Sequence, residues 1–129
     1  MYRPYLRIAF IIAALSVMLG AFGAHKLRDM VSERAVDVFE TAVRYQFFHA
    51  LALALAGILY KEYPNKWIKT SGTFFLLGIF LFCGSLYILT YATASVSPNF
   101  KWVGPITPVG GVFFIVGWIY LLIGVKQKQ

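Results

Sequence analysis

Two histidines, each beside other polar residues in a mostly apolar chain, are the side chains best suited to chemistry. Gln46 and His49 are three residues apart, so on a helix they share a face and both can reach the same partner. Other polar residues are expected at the same end of the spans, near the outer leaflet, and we assign them to the same candidate site. This candidate polar cluster consists of His25, Arg44, Tyr45, Gln46, His49 and Thr107.

The chemistry that these residues support is limited. The nearest carboxylates, Asp29 and Glu40, are placed separately from the histidines and do not reproduce a known metal-ligand spacing. No serine has a histidine and an acid at the spacing of a nucleophilic triad. Gly110 and Gly111 lack the lysine of a phosphate-binding loop. The sequence therefore predicts no catalytic residue, no metal ligand and no cofactor, and it predicts that the protein is not an enzyme.

Two interpretations of the cluster remain open. Polar groups at membrane depth are costly unless paired and often mark functional sites, which favours a small outward-facing pocket where the helices meet. Alternatively, the side chains bond neighbouring helices, and such bonds contribute about 0.6 kcal/mol each. We favour the second interpretation for both His49 and His25.

Long apolar stretches must position these residues. The chain has 129 residues, of which 60% are hydrophobic, and a mean hydropathy of +0.71. A membrane span needs about 20 mostly apolar residues to cross about 30 Å of hydrocarbon. The sequence thus predicts an all-α integral membrane protein, a four-transmembrane-helix bundle in one domain over residues 1–129. The predicted spans are residues 5–24, 45–60, 71–91 and 107–125.

The segment between the first two spans has a different pattern. Apolar residues recur at spacings of three and four, which predicts an amphipathic interfacial helix over residues 32–44. Asp29 or Ser32 can cap it, and a bend is expected within residues 44–46 where it meets the second span. Its apolar stripe consists of Val31, Ala35, Val38, Phe39, Ala42 and Val43.

The basic residues indicate topology and not nucleic-acid binding. The net charge is +7, but the basic residues lie singly or in pairs at the ends of apolar stretches and form no continuous basic face. The side with both termini carries Arg3, Arg7, Lys61, Lys66, Lys69, Lys126 and Lys128. The other side carries Lys26, Arg28, Arg34, Arg44 and Lys101. The positive-inside rule then predicts a cell-membrane protein with both termini in the cytoplasm.

Small residues recur on one face of each span, which lets helices approach closely where lipid supplies no hydrophobic drive. In the fourth span, glycines recur every seven residues, which predicts close packing against a neighbour. Cys83 is the only cysteine, and we interpret it as a packing residue. The predicted helix-packing residues are Gly20, Gly23, Ala50, Ala54, Gly78, Gly84, Gly110, Gly117 and Gly124.

Four strings in this order and spacing carry a resemblance: GAFGAHKL at residues 20–27, YQFFHALALALAG at 45–57, LFCGSLY at 81–87 and ITPVGG at 106–111. Together they resemble a family of small four-span proteins known as domain of unknown function 423, and vertebrate transmembrane protein 256 looks like a relative. The resemblance implies a helical inner-membrane protein, and some bacterial relatives are associated with membrane integrity. Lys26 stands where such proteins usually have glycine, and Cys83 where they usually have serine.

The sequence therefore predicts a structural or accessory membrane protein that supports membrane integrity or a larger membrane complex. The alternative is a small transporter or lipid-binding protein with a polar pocket near the outer leaflet. The expected partners are membrane lipids and either further copies of the chain or a larger complex.

Overall fold

The computed structural model describes residues 1–95 and 102–127, and the secondary structure of this part is entirely helical. Four continuous helices are each long and apolar enough to cross a membrane. They are span 1 (Arg3–Met30), span 2 (Glu33–Glu62), span 3 (Lys66–Ser95) and span 4 (Ile106–Lys126). The predicted all-α architecture with four membrane-crossing helices is confirmed.

Spans 1 and 3 each contain one wider, π-helical turn. Span 1 is α-helical over Arg3–Phe22, π-helical over Gly23–Leu27 and α-helical again over Arg28–Met30. Span 3 is α-helical over Lys66–Gly78, π-helical over Ile79–Cys83 and α-helical over Gly84–Ser95. Such turns shift the face that a helix presents and are frequent at functional sites.

Capping side chains set two helix starts. The hydroxyl oxygen of Ser32 accepts a hydrogen bond from the Ala35 amide at 3.2 Å, so Ser32, one of the two predicted caps, begins the helix of span 2. The Asn65 side-chain oxygen accepts bonds from the first amides of span 3, including that of Ile68 at 3.1 Å. The Asn65 amide group also donates to the Gly124 carbonyl at 3.0 Å and so fastens the end of span 4 to this turn.

Residues 32–44, predicted as an amphipathic helix that leads into the second span, are continuous with that span. They form the first turns of span 2, which continues as one α-helix through residues 44–46 without a break. Tertiary packing explains this, because Phe39 lies against Gly23 and Val43 against Gly20 of span 1. The predicted apolar stripe is thereby used within the bundle, with Ala35, Phe39 and Ala42 all buried.

Consecutive spans are antiparallel neighbours. Span 1 packs along span 2, span 2 along span 3 and span 3 along span 4, and spans 1 and 4 share no comparable contact among the described residues. The Tyr2 amide donates to the Gly57 carbonyl at 2.8 Å, which places the start of span 1 beside the end of span 2. The first residues of span 1 and the last residues of span 4 therefore lie at the same end of the bundle. We call this end the terminal end.

Spans 3 and 4 are joined by glycines that receive large side chains at intervals of seven residues. Phe82 lies on Gly110, Phe75 on Gly117 and Ile68 on Gly124, in antiparallel register. A methyl group added to Gly117 would lie 2.7 Å from a ring carbon of Phe75. The glycine heptad of span 4 thus packs closely against span 3. Phe114 completes the same interface on Gly78.

Of the remaining five predicted packing residues, four are packed within the bundle and one is not. Gly20 and Gly23 contact span 2, Ala50 is fully buried, and Ala54 packs against the core. The prediction for Gly84 is wrong, because a methyl group there would meet no atom within 4 Å. Gly84 directly follows the π-helical turn of span 3 and lines a groove there.

Candidate functional site

His49 has both ring nitrogens hydrogen-bonded. Its Nδ1 lies 2.8 Å from the Tyr45 carbonyl oxygen, which can only accept, so Nδ1 carries the proton. Its Nε2 then accepts a bond of 3.2 Å from the indole N–H of Trp118. The two bonds fix one neutral tautomer, because a protonated Nε2 would direct its N–H at that of Trp118. His49 thus links span 2 to span 4.

Aromatic rings surround this histidine. The His49 ring stacks on Phe114 with centroids 3.5 Å apart and contacts Phe75 at 5.8 Å. Although the histidine is only 5% exposed, a cavity of about 380 Å³ opens beside it towards the outside of the bundle. The cavity is lined by Tyr45, His49, Phe82, Gly111, Phe114, Ile115 and Trp118.

Gln46 connects three spans. Its side-chain amide donates to the Ile12 carbonyl of span 1 at 3.3 Å. Its side-chain oxygen accepts from the Tyr87 hydroxyl of span 3 at 2.6 Å. Gln46 and His49 lie on one side of span 2, as predicted, but they bond different helices and share no hydrogen-bond partner.

Thr107 is bonded to Ser85 and lies in a second polar contact. The Ser85 hydroxyl donates to the Phe82 carbonyl at 2.8 Å, so the Thr107 hydroxyl donates to Ser85 across 2.6 Å. A groove of about 320 Å³ lies beside this contact at the π-helical turn of span 3. Cys83 and Gly84 also line the groove, which is almost wholly apolar.

The structure does not bring His25 and Arg44 to the other cluster residues. His25 is exposed on the π-helical turn that follows the α-helix of span 1. Arg44 is exposed beside a groove between spans 1 and 2, on a different face of span 2 from Gln46. His25 and Arg44 therefore lie apart from the other four predicted residues.

Three partners of the cluster were not predicted from the sequence. Trp118, Tyr87 and Phe114 contact His49 or Gln46 from other spans. A signal for Phe114 did exist, because it lies between Gly110 and Gly117 on span 4. The two hydrogen-bonding partners have no comparable spacing signal, since the contacts join residues 69 and 41 positions apart.

The polar interior is internally paired. In the part of the chain that the structure describes, no buried side-chain nitrogen or oxygen lacks a hydrogen-bond partner. Over the same residues, histidine, cysteine and acidic side chains form no group of three that could hold a metal ion. Some of these bonds lie within one helix, as for Ser16 and Thr90, whereas those of Gln46 and His49 also join different spans.

Comparisons with known proteins place the chain in a family. The family model described as "Protein of unknown function (DUF423)" matches residues 19–111. A UPF0382 membrane protein of Staphylococcus aureus is 39% identical over 122 residues, with 92% of this chain and 94% of the relative covered. The UPF0382 membrane protein YwdK of Bacillus subtilis is 38% identical over 122 residues, with 94% of each chain covered.

A further relative comes from Haemophilus influenzae. This UPF0382 membrane protein is 38% identical over 124 residues, with 96% of this chain and 94% of the relative covered. No solved structure matches the chain significantly. The matches span nearly the whole length of each relative, and the relatives are named as membrane proteins. The chain therefore belongs to the DUF423 family, a group of multi-pass membrane proteins of unknown function.

Proposed function

We propose that this protein is a structural or accessory component of the cell membrane, without enzymatic activity, that supports membrane integrity or a larger membrane complex. The observation that carries the proposal is the complete pairing of buried polar side chains among the described residues. Gln46 and His49 use their polar atoms to join spans, and glycines with aromatic rings fill the interface of spans 3 and 4. Such an interior favours rigidity over passage of a polar solute.

The proposed orientation has both termini in the cytoplasm. Spans that alternate in direction place the start of span 1, the turn at Asn65 and the end of span 4 at the terminal end. The basic residues are more numerous there by sequence, seven against five, which supports a cytoplasmic location by the positive-inside rule.

Complementation of a strain that lacks the gene tests the structural role. We expect the strain to take up more propidium iodide after hypo-osmotic shock, and the wild-type gene to restore the barrier. His49→Phe and Gln46→Leu should also restore it, provided that immunoblots find each variant in the membrane at the wild-type amount. Gly117→Leu should fail, because Phe75 occupies the space of the added side chain.

A lipid-handling protein or small transporter is the second candidate, favoured by the groove of about 320 Å³ at the π-helical turn of span 3. In that case, Gln46→Leu would abolish rescue even at normal membrane amounts, because Gln46 lines the groove. A gene deletion without any change in dye uptake would contradict the role in membrane integrity.

A partner should contact the outer faces of spans 1 and 4. Phe10 of span 1 is 64% exposed and Ile119 of span 4 is 47% exposed. A photoreactive phenylalanine at either position should give a cross-linked product of discrete mass in native membranes. Recovery of the monomer alone from both positions would count against a membrane complex.

A further inference from the structure

Arg44 has a positive charge that no described residue neutralises. Glu40 lies one turn earlier and would be its usual helical partner. The Glu40 carboxylate instead accepts a bond of 3.0 Å from Arg28. Asp37 lies two turns before Arg44, about 10 Å along the helix axis, which exceeds the length of an ion pair. Among the described residues, Arg44 is left without an ion pair or a hydrogen bond.

The depth of Arg44 makes this charge consequential. Span 2 reaches its charged terminal end at Lys61 and Glu62. About 20 residues of helix cross the hydrocarbon layer, so counting back from Tyr60 places the other boundary near residue 41. Arg44 then lies about one turn inside the layer. A cation at that depth is costly unless its side chain reaches the interface and finds an anion there.

An apolar groove lies directly beside Arg44. The groove, of about 250 Å³, runs between spans 1 and 2 and is lined by Ser16, Val17, Val43, Arg44, Phe47 and Phe48. Its surface is almost wholly apolar, so Arg44 contributes chiefly its methylene stem, and the Ser16 hydroxyl is already bonded to the Ile12 carbonyl at 2.8 Å. Val17 and Phe48 are 63% and 52% exposed, so the groove opens towards lipid.

We propose that this groove binds one anionic phospholipid, which is a site independent of the proposed structural role. One acyl chain lies against the apolar lining between Val17 and Phe48, and the lipid phosphate accepts two hydrogen bonds from the Arg44 guanidinium. Arginine suits this task because its planar fork matches two phosphate oxygens and stays charged at all relevant pH values. Because Glu40 is paired with Arg28, the positive charge of Arg44 has no partner in the protein. The negative charge of the lipid compensates it.

Native mass spectrometry of the purified full-length protein tests this site. The protein is mixed with equal amounts of phosphatidylglycerol and phosphatidylcholine in detergent, and the lipids retained are counted. The wild type should retain one phosphatidylglycerol in preference to phosphatidylcholine. Arg44→Gln should lower this preference about fivefold, as expected for the loss of one cation near an anionic headgroup. Arg44→Lys should retain part of the preference.

Arg34→Gln is the matched control, because Arg34 is also an exposed arginine of span 2 but does not line the groove. We expect this variant to retain the wild-type preference. Equal losses in both variants would indicate diffuse charge attraction and overturn the proposal. A wild type without preference would overturn it as well. Displacement of the lipid by soluble glycerol phosphate would assign Arg44 to free phosphate instead of a lipid.

Both variants should fold, since within the described structure neither arginine makes an ion pair or a hydrogen bond that its replacement would remove. Circular dichroism melting should give the same midpoint for Arg44→Gln and the wild type. Arg44→Gln could lose the lipid preference and also melt at a lower midpoint. The site would still be supported if an equally destabilised Gly117→Ala variant kept the full lipid preference.

Discussion

His49 is a polar residue buried among aromatic rings where spans 2 and 4 meet. Its Nδ1–H donates within span 2, and its Nε2 accepts from Trp118 of span 4. Both nitrogens are used, and the ring is enclosed by Phe75 and Phe114. At the scale of the residue, the geometry favours a helix-joining role over that of a general base, because a base needs a free nitrogen that faces its substrate.

A double-mutant cycle on His49 and Trp118 should detect this bond. Each of His49→Phe and Trp118→Phe leaves one polar partner unpaired, whereas the double variant removes both. The free energy of unfolding in detergent micelles titrated with sodium dodecyl sulfate should give a coupling of about 0.6 kcal/mol, the average for hydrogen bonds between membrane helices.

The matched control cycle pairs His49→Phe with Trp67→Phe. Trp67 packs on Tyr120 near the terminal end and does not contact His49. The two changes should therefore add within about 0.5 kcal/mol. A coupling between His49 and Trp118 that is no larger than in this control would contradict the hydrogen bond.

At the scale of the element, the interface of spans 3 and 4 depends on two matching seven-residue repeats, one of large residues on span 3 and one of glycines on span 4. Large residues of span 3 lie on the glycines of span 4 because the two helices are antiparallel and the repeats match. Phe75 is fully buried and contacts Trp118 with ring centroids 5.1 Å apart, so it has little room to yield. Close backbone approach at these glycines, and not chain flexibility, is what the sequence pattern specifies.

Gly117→Ala and Gly84→Ala should therefore have opposite effects on the free energy of unfolding. Gly117→Ala should lower it by about 1–3 kcal/mol, because the added methyl overpacks the contact with Phe75. Gly84→Ala should raise it by about 0.5–1 kcal/mol, since alanine favours helix and its methyl meets no neighbour. The same micelle titration measures both. Equal destabilisation by the two changes would refute this account of the interface.

At the scale of the whole molecule, alternation of the spans places both ends of the described chain together. The Tyr2 amide bonds the end of span 2, and Asn65 bonds the end of span 4, so these contacts all belong to the terminal end. An even number of crossings explains why the two ends lie on one side of the membrane.

Reporter fusions should give the orientation of this arrangement. A green fluorescent protein fused after Gln129 should fluoresce, because it folds in the cytoplasm. Alkaline phosphatase fused after Ser95 should be active, since the far end of span 3 would lie outside the cytoplasm. The reverse pattern would contradict the proposed orientation while leaving the four spans intact.

Much of the fold follows from local patterns. Long apolar stretches predict the spans, Ser32 is one of two residues predicted to cap the helix that leads into span 2, and the glycine heptad predicts a close interface. These features depend on residues near one another in the chain. The candidate site was less predictable, because Gln46 reaches Ile12 and Tyr87 on two other helices. Sequence spacing within one helix does not specify which neighbour faces it.

The sequence by itself determined that this chain is a membrane protein of four helices, because hydrocarbon thickness and backbone hydrogen bonding leave few other arrangements for such long apolar stretches. Only the tertiary structure decided the partners. It bonded Glu40 to Arg28 instead of Arg44, directed Gly84 to a groove and joined His49 to Trp118. The physical reason is that helix rotation and register are set by side-chain packing between spans, which no single stretch of sequence contains.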